Sequence, residues 1–144
     1  MVQAAPGDDL TALRNKAFAS FRAQCRGKQG FAAAWCYDKI TDNTSPWIQV
    51  DFVGTVTITG LITQASGDYT YWVTEYQVTY SEDGQSWNNV TDADGTPIKF
   101  PGNKDMNTLV TTRLPFALRT RILRIHPTEW NNYCCMRFEV IGCY

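Results

Sequence analysis

The chain has 144 residues, which is enough for a single domain with one hydrophobic core. Its 13 basic and 14 acidic residues give a formal net charge of −1, so it lacks the excess of positive charge that nucleic-acid-binding domains carry. It contains no run of about 18 apolar residues that would span a membrane. Residues 1–10 are polar and lack the apolar stretch of a signal peptide.

Alternation of apolar and polar residues predicts a series of short β-strands. The first is 16–21, although residues 8–21 could instead hold a helix. Further strands are predicted at 47–52, 56–63, 76–80, 121–126 and 136–141. Turn signals with Asp-Gly pairs separate them, as in 81–84 and 94–95. A set of about eight such strands predicts an all-β, antiparallel β-sandwich or jelly roll.

The strand at 47–52 turns alternate side chains to its two faces. Its apolar face is expected to fill the core with Ile48, Val50 and Phe52. On the polar face, Asp51 is predicted to form a bidentate ion pair with Arg137 that sets the strand register. Three tryptophans are also expected in the core, namely Trp47, Trp87 and Trp130.

Catalytic signatures are weak in this sequence. The only histidine, His126, precedes Pro127 at the end of a predicted strand, and neither a nucleophile-elbow motif nor a phosphate-loop motif is present. Paired carboxylates, as in a glycosidase, are not excluded by spacing alone. Because catalysis usually needs a recognisable acid–base or nucleophile partner, the chain is predicted to be non-catalytic.

The cysteines indicate an oxidising compartment rather than a metal site. The five of them are Cys25, Cys36, Cys134, Cys135 and Cys143. None has CxxC spacing and the chain has one histidine, which argues against zinc. In an exported domain they would form disulfides, and an odd number leaves at least one outside an intramolecular bridge.

Six blocks in chain order carry a family resemblance. They are 45–52 with Trp-Ile-Gln-Val-Asp-Phe, 60–64, 72–76 with 80–87 and its Ser-x-Asp-Gly-x-x-Trp turn, 100–105 with Phe-x-Gly-Asn-x-Asp, 124–130 and 136–143. Together they resemble the discoidin domain family, also called the coagulation factor 5/8 type C family. The resemblance implies a galactose-binding-domain-like β-sandwich over residues 12–144, with a tail at 1–11.

The resemblance also implies a function. Members of the family are non-catalytic binding modules, so this domain is expected to be secreted or extracellular and to act in adhesion or recognition. A cell-surface carbohydrate is the expected ligand, in the manner of a lectin. The alternative partners are an anionic phospholipid membrane and a receptor protein. No nucleic-acid partner and no required cofactor are expected.

In this family the ligand is held on loops at one end of the sandwich. Two loops are expected to hold it here, and their candidate contact residues are Arg26 and Lys28 in 24–30, and Asp68, Tyr69 and Tyr71 in 65–71. Aromatic rings cover the apolar face of a sugar, and charged groups bond its hydroxyls. Galactose-binding members carry Gly-Arg-Gly-Asp where this chain has Ala-Ser-Gly-Asp at 65–68, so the absent arginine weakens the expectation of galactose specificity.

A structural calcium ion is a further expectation from the resemblance. The segment 37–43 is similar to a Val-Asp-Gly loop that holds calcium in related carbohydrate-binding modules. The ligands would be Asp38, Asp42 and Glu139, whose hard oxygen atoms suit calcium. Lys39 stands where that loop usually has glycine, and the alternative is a loop closed by hydrogen bonds alone.

Disulfide pairing and glycosylation complete the expectations. Family members usually bridge the last cysteine to one before the first strand, and that cysteine is absent here. Cys143 is therefore expected to pair with Cys25 or to be left over, and Cys36 to pair with Cys134 or Cys135. Sequons for N-glycosylation stand at 43–45 and 89–91, and they matter if a eukaryotic cell exports the chain.

Overall fold

The computed structural model of the chain describes residues 24–26, 35–36, 46–67 and 70–143. Its strands are β1 (Gln24–Arg26), β2 (Trp35–Cys36), β3 (Trp47–Gln64), β4 (Trp72–Ser81), β5 (Asn88–Asn89), β6 (Phe100–Pro101), β7 (Val110–Asn131) and β8 (Cys135–Cys143). This described part of the chain contains no helix, so it has none that is long and apolar enough to cross a membrane. The predicted strand at 16–21 and the alternative helix at 8–21 lie outside the described residues.

All strand pairs are antiparallel, which confirms the predicted fold class. The order across the sheet is β2-β8-β3-β7-β4-β5, with β1 added to β3 and β6 added to β4. Strands β3 and β7 are long, with 18 and 22 residues, and they pair with each other along most of their length. The first half of β3 lies beside β1 and the second half beside β8, so the two halves of this strand have different neighbours.

An irregularity in the middle of β3 joins the two halves. The sequence predicted separate strands at 47–52 and 56–63, whereas the structure has one strand whose pairing with β7 shifts between Asp51 and Val56. At this shift Val53 has a φ of 71°, and its N–H donates to Asp51 Oδ1 at 2.8 Å. A bulge of this kind bends a strand without ending it.

The core lies between the layers. The alternate residues Ile48, Val50 and Phe52 are buried as predicted, with 1%, 1% and 2% of their surface exposed. They belong to one cluster with further side chains of β3 and with side chains of β4, β7 and β8, which include Ile58, Leu61, Tyr76, Val78, Leu123, Ile125, Met136, Phe138 and Val140. Burying this apolar surface is the main source of stability for such a sandwich.

Two of the three tryptophans are not in the core, which corrects the sequence-based expectation. All three are half-buried, and of the three only Trp130 packs against the core. The rings of the other two lie on the guanidinium of Arg124, whose central carbon is 4.0 Å from the ring centre of Trp47 and 3.8 Å from that of Trp87. Arg124 Nε also donates to Gln49 Oε1 at 2.8 Å. Because an indole face attracts a guanidinium, the rings of Trp47 and Trp87 stack on Arg124 instead of being buried in the core.

The ion pair predicted for Asp51 has a different partner. Arg121 Nε and Nη2 lie 3.1 and 3.2 Å from the two carboxylate oxygens of Asp51, so the bidentate geometry is right and the predicted partner, Arg137, is wrong. The strand register explains the difference. Asp51 lies opposite Ile122 of β7, next to Arg121, whereas Arg137 lies opposite Gln64 at the far end of β3.

Candidate functional site

Three connections between strands meet at one end of the sandwich. They are 65–71 between β3 and β4, 102–109 between β6 and β7, and 132–134 between β7 and β8, and together they are called the loop end below. The buried Asn103 links the second connection to β3, because its Nδ2 donates to Thr63 O at 3.0 Å. Asn132 links the third to the first through its Nδ2, which donates to Thr70 O at 3.1 Å.

Hydrogen bonds hold the described ends of the 65–71 connection. A backbone hydrogen bond joins its two ends, with the N–H of Ser66 donating to Tyr71 O at 3.0 Å. Asn131 Nδ2 donates to Thr70 O at 2.8 Å, and Asn132 Nδ2 also reaches Thr70 Oγ1 at 2.9 Å. Side-chain amides that bond a loop carbonyl reduce the entropy that the loop would lose on binding a ligand.

Arg137 contacts the first residues of this connection, Ala65 and Gly67. Its Nε donates to Ala65 O at 2.8 Å. Its guanidinium lies against Gly67, where an added Cβ would be 3.4 Å from Nη2, and Gly67 has a φ of 96° that favours glycine. The connection lacks the arginine expected from galactose-binding relatives, but β8 brings a guanidinium to the same loop.

Two tyrosines form an aromatic pair at the loop end. The ring centres of Tyr71 and Tyr133 are 4.8 Å apart and the ring planes make an angle of 76°, which is an edge-to-face contact. Tyr71 is half-buried and Tyr133 is 59% exposed. Tyr133 follows Asn132, whose φ of 61° turns the chain between β7 and β8.

The 102–109 connection is ordered by a carboxylate. Asp105 Oδ1 accepts the N–H groups of Asn107 at 3.0 Å and Thr108 at 2.7 Å, and Asp105 Oδ2 accepts the Thr108 hydroxyl at 2.8 Å. The backbone and side chain of Thr108, with the backbone of Asn107, hold the pKa of Asp105 below its ordinary value. The connection ends at Leu109, an apolar side chain that is 57% exposed.

The structure describes few of the ligand-binding residues predicted from the sequence. Tyr71 lies at the loop end, and its part in ligand binding stays a prediction. Asp68 and Tyr69 belong to the same connection but lie outside the described residues, as does Lys28. Arg26 is the last residue of β1 and pairs with Trp47 through the backbone. The predicted meeting of the two loops therefore stays a prediction.

The predicted calcium site also stays a prediction. Glu139 is half-buried in β8, opposite Ile62 of β3, and it makes a contact of its own. Asp38 and Asp42 lie outside the described residues. Within the described ranges, no group of three or more His, Cys, Asp and Glu side chains is arranged to hold a metal ion.

Tyr133 is the residue of the loop end that the sequence reading missed. It lies far along the chain from Tyr71, so no local pattern joins the two. The available signal was the segment Asn131-Asn132-Tyr133, in which two turn-forming residues precede an aromatic one between two predicted strands.

Comparison with known sequences places the fold in a family. The sequence model of the F5/8 type C domain matches residues 14–140. The chain is 39% identical to hemocytin of Bombyx mori over 102 residues, which are 71% of this chain and 3% of that protein. It is 34% identical to lactadherin of Bos taurus over 118 residues, which are 80% of this chain and 27% of that protein. The chain thus spans only a small part of these relatives.

Solved structures agree with this placement. Discoidin II of Dictyostelium discoideum has a TM-score of 0.69 at 20% identity, with 84% of this chain and 54% of that chain covered. A CBM32 module of Clostridium perfringens, solved with GalNAc-β-1,3-galactose, has a TM-score of 0.66 at 12% identity, with 83% and 94% covered. At these identities the likeness shows the fold alone. The chain belongs to the F5/8 type C domain family, the discoidin family that its six sequence blocks resemble.

Proposed function

We propose that this domain is a non-catalytic, extracellular binding module that recognises a cell-surface carbohydrate through the loop end. The observation that carries the proposal is the pair of Tyr71 and Tyr133, of which Tyr133 is 59% exposed, beside Thr70, whose carbonyl is bonded by Asn131 and Asn132. An exposed aromatic ring beside backbone that is held by hydrogen bonds is the kind of surface that a sugar ring needs.

The chemistry of the loop end suits a sugar. The face of the Tyr133 ring covers the C–H side of a pyranose, and the phenol hydroxyls of the two tyrosines give and accept hydrogen bonds. The guanidinium of Arg137 beneath Gly67 adds donors for a hydroxyl or ring oxygen. Two structural neighbours from Clostridium perfringens were solved with galactose-containing sugars, which supports a carbohydrate as the ligand class.

The loop end also has a feature that favours a second candidate. Leu109 is 57% exposed next to the 65–71 connection, since Val110 pairs with Thr63 of β3. An exposed leucine beside tyrosines suits the interface of a phospholipid membrane or the contact surface of a receptor protein. The second candidate is therefore a module that binds anionic phospholipid or a receptor through Leu109.

Replacement of the exposed tyrosine tests the carbohydrate proposal. We expect Tyr133→Ala to weaken glycan binding by roughly 1–3 kcal/mol, the size of an aromatic anchor. Its melting temperature should stay close to that of the parent, because exposed substitutions usually change stability by less than about 0.5 kcal/mol. The measurement is a glycan array followed by titration with the best glycan. The control is Phe116→Ala, because Phe116 is 45% exposed in β7 away from the loop end.

A liposome pull-down on the same proteins decides between the two candidates. If Leu109→Ser abolishes binding to phosphatidylserine liposomes while Tyr133→Ala leaves glycan binding unchanged, the carbohydrate proposal is wrong and the membrane candidate stands. Asp68→Ala is an independent test, because the two candidates predict different effects of this change on ligand binding. Loss of this carboxylate should weaken a sugar ligand, whose hydroxyls lose an acceptor, and should spare an anionic lipid, which loses a repelling charge.

A further inference from the structure

A second concave site lies outside the loop end. It is a cleft of about 450 Å³ on the outer face of the sheet, where β4, β5 and β7 run side by side. The residues that matter for its chemistry are Gln77, Thr79, Asn89, His126, Thr128 and Trp130. The loop-end proposal does not use this surface.

The lining of the cleft carries no charged residue and mixes polar groups with the apolar surfaces of Pro46, Pro127 and Trp130. Gln77 and Asn89 contribute side-chain amides, and threonine hydroxyls lie between them, so donors and acceptors are mixed. The carboxylate of Glu75 accepts the Thr128 hydroxyl at 2.8 Å but is not part of the lining. Trp130 forms one wall and packs against the core, which keeps its position fixed.

His126 adds a neutral imidazole to this lining. Its Nε2 lies 2.7 Å from Thr79 Oγ1, and the two groups share a hydrogen bond. Burial, and after it the positive charge of Arg124, lower the pKa of His126 to about 4. At neutral pH the imidazole is therefore uncharged and acts as one donor and one acceptor.

Asn89, at the rim of the cleft, is the acceptor residue of a sequon for N-glycosylation. It begins the sequon Asn89-Val90-Thr91, and its side chain is exposed on the edge strand β5 at the rim of the cleft. Val90 is buried and its N–H donates to Val78 O at 2.9 Å, so the backbone beside the acceptor is fixed. A glycan on Asn89 would begin at the mouth of the cleft.

We propose that this cleft binds a neutral sugar residue, in a site separate from the loop end. Mixed amide and hydroxyl groups match sugar hydroxyls, and Trp130 offers a ring for the C–H face. None of the lining residues carries a charge at neutral pH, and the nearby guanidinium of Arg124 is already engaged by Trp47, Trp87 and Gln49, so the lining itself gives an anionic ligand no ion-pair partner. The sugar has two possible sources, a free glycan or the glycan carried by Asn89 itself.

A titration followed by NMR tests the site directly. His126 is the only histidine in the chain, so its imidazole proton signals need no assignment. Protein made in bacteria, without glycans, is titrated with neutral monosaccharides that include N-acetylglucosamine, galactose and mannose. We expect a saturable shift of the His126 signals with at least one of them. Gln77→Ala and Asn89→Ala should each raise its Kd about ten-fold, because each removes a hydrogen-bonding partner.

The control separates this site from the loop end. Tyr133→Ala should leave the His126 titration unchanged even if it abolishes binding to the glycan array. Failure of the cleft and failure of the loop-end proposal are then different results. Phosphocholine and sialic acid serve as charged ligands, and neither should shift the His126 signals saturably.

A second arm identifies the source of the sugar. For this arm the protein is expressed in eukaryotic cells as a secreted protein. Its intact mass, measured with and without a deglycosylating enzyme, reports whether Asn89 is modified. Thr91→Ala removes the sequon and leaves the cleft lining intact. If the attached glycan fills the cleft, the His126 signals of the parent and of Thr91→Ala should differ. The proposal is overturned if free sugars leave His126 unmoved and parent and Thr91→Ala give the same signals.

Discussion

At the scale of single residues, Arg124 sets the electrostatics of the outer face of the sheet. Its guanidinium is stacked between Trp47 and Trp87 and bonded to Gln49. This arrangement fixes a permanent positive charge near the half-buried His126, two residues further along β7. The result is an imidazole that resists protonation because it is buried and because a cation is held beside it.

The lowered pKa of His126 makes stability depend on pH in a defined window. Burial and then Arg124 lower this pKa from 6.5 to about 4, so between these values the unfolded chain binds a proton that the folded chain does not. The contribution to the free energy of unfolding is fully present above about pH 6.5 and is lost as the pH falls toward 4. Allowing for partial exposure of the ring, we expect a loss of about 2–3 kcal/mol, measured by urea denaturation at about pH 7 and pH 4.5.

The matched variant for this prediction is His126→Gln, which cannot titrate and can still bond Thr79. Its free energy of unfolding should fall less than that of the parent over the same pH interval. Asp83 and Asp105, whose pKa values are lowered by hydrogen bonds, titrate in both proteins and cancel in the comparison. Equal losses in parent and variant would show that His126 does not contribute.

At the scale of elements, the 102–109 connection is joined to the sandwich by Asn103. Its buried Nδ2 donates to Thr63 O and Thr108 O, both at 3.0 Å, and its N–H donates to Val73 O at 2.8 Å. Asn103→Ala would leave two carbonyls without this donor. We expect it to lower the free energy of unfolding by about 2–4 kcal/mol, measured by chemical denaturation.

An exposed asparagine in the same connection provides the comparison. Asn107 bonds Asp105 through its backbone N–H, so Asn107→Ala keeps that bond and should change stability by less than about 0.5 kcal/mol. If the two variants were equally stable, the amide of Asn103 would not be what holds the connection.

The elements also show what alternation in a sequence can predict. Residues 76–80 and 136–141 lie within β4 and β8 as predicted, because one face of each strand is buried and the pattern records that face. The predicted strand at 121–126 is only part of β7, which begins at Val110, and 47–52 is only part of β3. Strand lengths depend on pairing partners and bulges, which alternation does not record.

The candidate site was predictable only in part for the same reason. The 65–71 connection follows a recognisable strand, so Tyr71 could be placed at a loop from local sequence and family resemblance. Tyr133 and Arg137 reach that connection from β8 and the turn before it. Contacts between distant parts of the chain depend on strand register. For the same reason Asp51 pairs with Arg121 and not with Arg137, the partner predicted from the sequence.

At the scale of the whole molecule, the edge strand β2 is attached to the sandwich through β8. The two strands are antiparallel, with Cys36 opposite Cys135 and Trp35 opposite Met136. Cys135 is disulfide-bonded, and its neighbour Cys134 is a buried thiol. Residues that face each other in an antiparallel pair have Cα atoms about 4.5–5.5 Å apart, which lies within the range that a disulfide spans.

We therefore predict a disulfide between Cys36 and Cys135, one of the two pairings that the sequence left open for Cys36. Peptide mapping without reduction should recover this linked pair, and Cys134 should react with an alkylating reagent only after unfolding, because it is 2% exposed. The bridge closes a segment of about 100 residues, so replacing both cysteines with alanine should cost about 4–5 kcal/mol in the chain-entropy model. Cys134→Ala is the control and should keep the bridge. A peptide that links Cys36 to Cys134 would show that the strand register does not determine the pairing.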